Sequence, residues 1–160
     1  MGFTENVLMQ MKDVSCIKYQ PELYSDRLSS SDIERFTVNK KKLAMKIACI
    51  KLMFEKDNNI SSTKAYEVLE EKCQISVSTL TYAINCTKGH TANRHLLYKL
   101  VVGLHMTLDE ANELFALESG ILTVSCLEDL ICIEALREGA SIFEFIEEFE
   151  KHTESKISLR

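Results

Sequence analysis

Apolar residues recur along this chain at helical rather than strand spacing. Between residues 40 and 56, Leu43, Ile47, Ile50 and Phe54 follow one another at four, three and four positions, so all four share one face of a helix. Residues 62–73 are predicted to turn Ala65, Val68, Leu69 and Tyr66 inward, with Ser61 or Ser62 as the cap. A short helix over 78–85 would bury Leu80, Ala83 and Ile84, and one over 94–103 would bury Leu96, Leu97, Leu100 and Val101. Over 142–152, Ile142, Phe145, Ile146 and Phe149 fall opposite Glu144, Glu147, Glu148 and Glu150. With further helices predicted over 108–119 and 126–138, the fold class is all-α.

The breaks between these segments carry their own signals. Asp57-Asn58-Asn59 ends the first helix, and Cys86 to Asn93 reads as a polar loop around Gly89. Gly103 is expected to close its helix in the left-handed conformation. Thr107 and Glu110 are spaced as a capping box, in which hydroxyl and carboxylate each accept from the other residue's backbone N–H; Ser125…Glu128 and Ser141…Glu144 repeat that spacing. In the first 37 residues Thr4 to Asp13 forms a short amphipathic pattern with Val7, Leu8 and Met11, which Pro21 and Ser29-Ser30-Ser31 interrupt. The predicted organisation is an N-terminal arm (1–37), a central helical domain (38–120) and a C-terminal helical extension (121–160).

Composition narrows the chemistry. The chain has 160 residues, 46% of them apolar, with one proline and five glycines, too few breakers for many short strands. No apolar run approaches the ~20 residues that span a bilayer, and no secretory leader pattern opens the chain, so no membrane partner and a cytoplasmic location are expected. Six cysteines form no Cys-x-x-Cys pair and no Cys/His cluster, so reduced thiols, no metal and no cofactor are expected. Glycine-rich phosphate loops, HExxH and Gly-x-Ser-x-Gly are missing, which argues against an enzyme.

Charge is segregated. The net charge is -5, yet residues 75–106 hold Lys88, Arg94 and Lys99 without one carboxylate, and three of the four histidines lie there too. Residues 107–160 carry 13 acidic against 4 basic groups. An acid-free window inside an acidic chain is a candidate face for an anionic partner.

Two stretches carry a resemblance. Leu69-Glu70-Glu71-Lys72-Cys73-Gln74-Ile75-Ser76-Val77-Ser78-Thr79-Leu80 resembles the helix-turn-helix of the lambda-repressor-like (XRE) family. Leu100-Val101-Val102-Gly103-Leu104-His105-Met106-Thr107-Leu108-Asp109-Glu110-Ala111 is similar to that family's closing motif, and the likeness covers residues 40–119. It implies a five-helix bundle whose third helix, 78–85, enters the major groove of double-stranded DNA in a sequence-specific transcription regulator. Ser78, Thr79, Thr81, Tyr82 and Asn85 would then face bases, since an Asn amide matches the adenine edge and a Thr methyl the thymine methyl. Lys88, His90, Asn93 and Arg94 would meet phosphates, with Lys88 and Arg94 solvent-facing. Glu70 and Gln74 stand where many family members have a small Ala and a Gly.

A homodimer is expected on DNA because one such helix reads few base pairs. Phe145 and Phe149 are expected to pack back on the bundle, leaving Phe143 as the contact candidate for a second copy or another protein. The acidic C-terminal helices should point away from the duplex. The alternative reading is a protein-interaction adaptor on the same scaffold, because a scaffold does not dictate its function.

Overall fold

The structure, a computed structural model, describes residues 30–86 and 92–158. Among the described residues there are seven helices and no strand: α1 (Ser30–Asn58), α2 (Ser62–Cys73), α3 (Val77–Asn85), α4 (Arg94–Gly103), α5 (Leu108–Glu118), α6 (Leu127–Glu138) and α7 (Ile142–His152). Every helix after the first lies within one residue of its prediction. The first is longer, beginning at Ser30, so residues 30–37 of the expected arm are helical. Glu34 sits in its opening turns, where a carboxylate favours the positive end of the helix dipole. Residues 1–29, including Thr4 to Asp13 and Pro21, lie outside the described residues.

α4 is the centre of the core. It packs against α2, α5, α6 and α7, and Leu96, Leu97, Tyr98, Leu100, Val101, Val102 and Gly103 are all buried. The predicted four-residue stripe was too narrow, because a helix surrounded by neighbours has no solvent face to keep polar. Tyr98 centres an aromatic cluster, with ring centroids 5.5 Å from Phe115 and 5.6 Å from Phe149. Phe145 stands 5.5 Å from Phe149. Phe145 and Phe149 therefore close on the bundle as expected, and Phe143 remains 62% exposed.

Gly103 does not adopt the expected left-handed conformation. The helix runs through it, Leu104 N–H still donates to Leu100 O, and the positive φ of 51° falls at His105. Glycine is required at 103 for another reason: a Cβ there would lie 2.6 Å from Cys73 Sγ and 2.7 Å from the Lys72 carbonyl oxygen. α2 and α4 approach at a spacing that only a missing side chain permits.

The capping signals divide. Thr107 and Glu110 form the full box, with Glu110 N–H donating to Thr107 Oγ1 at 3.2 Å and Thr107 N–H to Glu110 Oε1 at 3.0 Å. The Thr107 backbone bond holds the Glu110 carboxyl below its usual range. Ser141 Oγ accepts from Glu144 N–H at 3.2 Å. Ser125 and Glu128 make no box: Cys126 is the N-cap, without a side-chain cap bond, and Ser125 meets Thr123 instead. Glu128 is drawn away by His95 Nε2 at 3.2 Å and Ser155 Oγ at 3.2 Å.

The five described cysteines, Cys49, Cys73, Cys86, Cys126 and Cys132, are free thiols; Cys16 lies outside the described residues. Burial pushes the Cys73 thiol up to about 12 and that of Cys132 well above its ordinary 9.0. Alkylation of the native protein at pH 8 should reach Cys73 and Cys132 only after unfolding. Both groups have folded values above their unfolded ones, so the unfolded chain releases these protons first as pH rises. Stability should fall above pH ~9, by up to ~1.4 kcal/mol per pH unit for each thiol. Urea melts between pH 8 and 11 check this, and a midpoint independent of pH would contradict it.

Candidate nucleic-acid interface

α2 and α3 are joined by a three-residue turn, Gln74-Ile75-Ser76, whose geometry accounts for two residues that depart from the family pattern. Gln74 caps α2 in the left-handed region, at φ 56° and ψ 41°, and its Nε2 donates to Glu71 O at 2.9 Å. A glycine would enter that region without steric cost, and here a local side-chain bond accompanies the glutamine. Glu70 Oε2 accepts from Val77 N–H at 2.8 Å, so the carboxylate satisfies an amide at the start of α3 that has no partner within the helix. Ser76 accepts from Thr79 N–H at 3.2 Å and caps the same end. Ile75 anchors the turn in the core at 2% exposure.

The expected base-facing residues separate into an outer and an inner set. Ser78, Thr79, Tyr82 and Asn85 are exposed and fall on one side of α3, while Leu80 and Ala83 are buried opposite them. Thr81 is half-buried and its hydroxyl donates to Val77 O at 2.7 Å within its own helix. Thr79 Oγ1 accepts from Ser76 Oγ at 2.7 Å. α3 contains no Asp, Glu, Lys or Arg. Lys88 and His90 lie outside the described residues.

At the amino end of α4 the expected phosphate contacts change character. Asn93 is exposed, but its Oδ1 accepts from Leu96 N–H at 2.8 Å and serves as the N-cap. Arg94 is not solvent-facing, which corrects the sequence expectation. Its Nε and Nη2 grip both oxygens of Asp129 at 3.0 and 2.8 Å, and Nη1 reaches Glu118 Oε2 at 3.1 Å and Gly120 O at 2.8 Å. The guanidinium also covers the Phe115 ring at 4.8 Å. Burial alone would lower the Arg94 pKa, but the hydrogen bonds and charge of Asp129 outweigh it and raise the value. Asp129 is 2% exposed and further accepts from Tyr98 Oη at 2.5 Å and Thr123 N–H at 3.0 Å. Two of the few cations in the acid-free window are thus held internally, because Lys99 Nζ donates to Gln74 O at 2.7 Å and Ile157 O at 2.8 Å. Burial lowers the Lys99 pKa.

The end of the described chain returns to this face. Glu150 Oε2 accepts from Ile157 N–H at 2.6 Å and Ser158 N–H at 3.0 Å, and Ile157 is buried. Those backbone bonds hold the Glu150 carboxyl below its usual range against the opposing effect of burial. Lys156, Ile157 and Ser158 line an open cleft of about 400 Å³ together with Ser76, Thr79 and Asn93. The last described residues of the C-terminal extension therefore sit beside the α3–α4 face.

Comparison of the chain with protein-family models, with curated proteins and with solved structures finds no match. The geometry itself is the ground for any reading. Sequence reasoning missed the Arg94–Asp129 pair, although a lone arginine in an acid-free window facing an acidic segment was a usable signal. It also missed Glu70, whose partner is a backbone amide seven residues on. Among the described residues no helix is long and apolar enough to cross a membrane.

Proposed function

We propose that the chain is a sequence-specific double-stranded-DNA-binding transcription regulator of the lambda-repressor-like type, reading the major groove with α3 in the cytoplasm as a homodimer. The observation that carries the reading is the outer face of α3, where Ser78, Thr79, Tyr82 and Asn85 stand exposed on a helix anchored by Leu80 and Ala83 after a three-residue turn. Uncharged hydrogen-bonding side chains on a short, well-capped helix suit base edges, which phosphate-binding lysines would not read.

The test uses the different ways in which base and phosphate contacts fail. Asn85→Ala is expected to cost about 1–3 kcal/mol on the preferred site and to leave non-specific binding nearly unchanged. Lys88→Ala should weaken binding to every duplex alike and flatten the log-log salt slope by ~0.9. Absence of salt-dependent affinity for any duplex at low ionic strength would overturn the reading.

The adaptor reading is favoured by a different observation. Phe143 lies exposed beside a groove of about 380 Å³ lined by Val68, Lys72, His105 and Ile142, a shape that suits an apolar anchor from another protein.

A further inference from the structure

Nine large apolar side chains are exposed among the described residues, and five of them belong to α1. Val38 (48%), Met45 (67%), Leu52 (49%) and Met53 (63%), with the exposed thiol of Cys49, form a stripe on the side of α1 away from Leu43 and Ile47. Scattered apolar residues on a surface call for no explanation, but Val38, Met45 and Leu52 repeat at intervals of seven. A seven-residue apolar repeat fills one of the two core positions of a coiled-coil heptad, and Lys42, Cys49 and Lys56 stand at the other.

We propose that this stripe is the interface between two copies of the chain, with their α1 helices antiparallel and crossing at Met45. Charge along the helix decides the direction. In a parallel pair Lys42 and Lys56, which share the seam, would each oppose their own counterparts. In an antiparallel pair centred on Met45, Val38 meets Leu52 of the second copy, and exposed Glu34 at one end meets exposed Lys56 at the other. The two-fold symmetry repeats that pairing, so both ends close on opposite charges. Lys46, beside the seam, is engaged by Glu113 of α5 at 2.6 Å and adds little repulsion. The stripe shares no residue with the outer face of α3 or with the Phe143 groove, and it does not depend on the DNA-binding reading.

Sedimentation velocity of the full chain over a concentration series should show a monomer–dimer equilibrium. Met45→Asp should weaken it about tenfold or more, and Phe143→Asp should leave it unchanged. Both side chains are exposed in the single chain, so a cooperative thermal melt with unchanged helical content establishes that each variant folds. Crosslinking fixes the direction: in a Cys49→Ser background, Met45→Cys should join two chains through residue 45. In the antiparallel pair the two Cys49 positions are offset by roughly 12 Å along the axes, too far for a disulfide. A chain that stays monomeric, a dimer indifferent to Met45→Asp, or a native Cys49–Cys49 bridge would each overturn the proposal.

Discussion

Arg94→Ala is expected to destabilise the protein by about 3–5 kcal/mol, measured as a shift in the urea midpoint at pH 7. The substitution leaves Asp129, 2% exposed, as a buried charge whose remaining partners are a tyrosine hydroxyl and one backbone amide. It also strips partners from Glu118 and from the Gly120 carbonyl. Arg94→Lys should rescue only part of the loss, because one ammonium cannot span both oxygens of Asp129 and reach the end of α5 as well. A cost below about 1 kcal/mol would show that the pair is replaceable by water. Weaker DNA binding by Arg94→Ala would therefore report on folding and not on a phosphate contact.

Gly103→Ala should cost about 3 kcal/mol, a large effect for adding one methyl group. Its Cβ would meet Lys72 O and Cys73 Cα at 2.7 and 2.8 Å, both backbone atoms, so relief requires α2 and α4 to separate. Gly139→Ala offers the contrast: it has φ 63° but open space around it, so its cost is conformational and near 1 kcal/mol. Equal losses in thermal melts of the two variants would contradict the packing account.

These two positions also show what could be read from the chain alone. Helix existence was legible because apolar spacing and caps such as Thr107…Glu110 are local properties. The outer face of α3 was legible for the same reason, since Leu80 and Ala83 define its inner side. The role of Gly103 depends on a helix some thirty positions earlier, and its spacing after Val102 suggested only a local stop. Arg94 was assigned to solvent because its nearest sequence neighbours are polar, while its partner Asp129 comes 35 residues later. Ser125…Glu128 fits the capping pattern as text, but competition from His95 and Ser155 for the same carboxylate is a tertiary fact.

The Arg94 cluster has a consequence for cooperativity. Its bonds run from the first residue of α4 to the end of α5, the connecting segment and α6, across the expected boundary between residues 120 and 121. Phe145 and Phe149 complete the wall around Tyr98 from the far side of that position. Cutting the chain there would expose the most buried helix and strand a guanidinium beside aromatic rings. The amides of α4 and α6 should accordingly exchange with deuterium through one shared opening, with matching protection and matching sensitivity to denaturant.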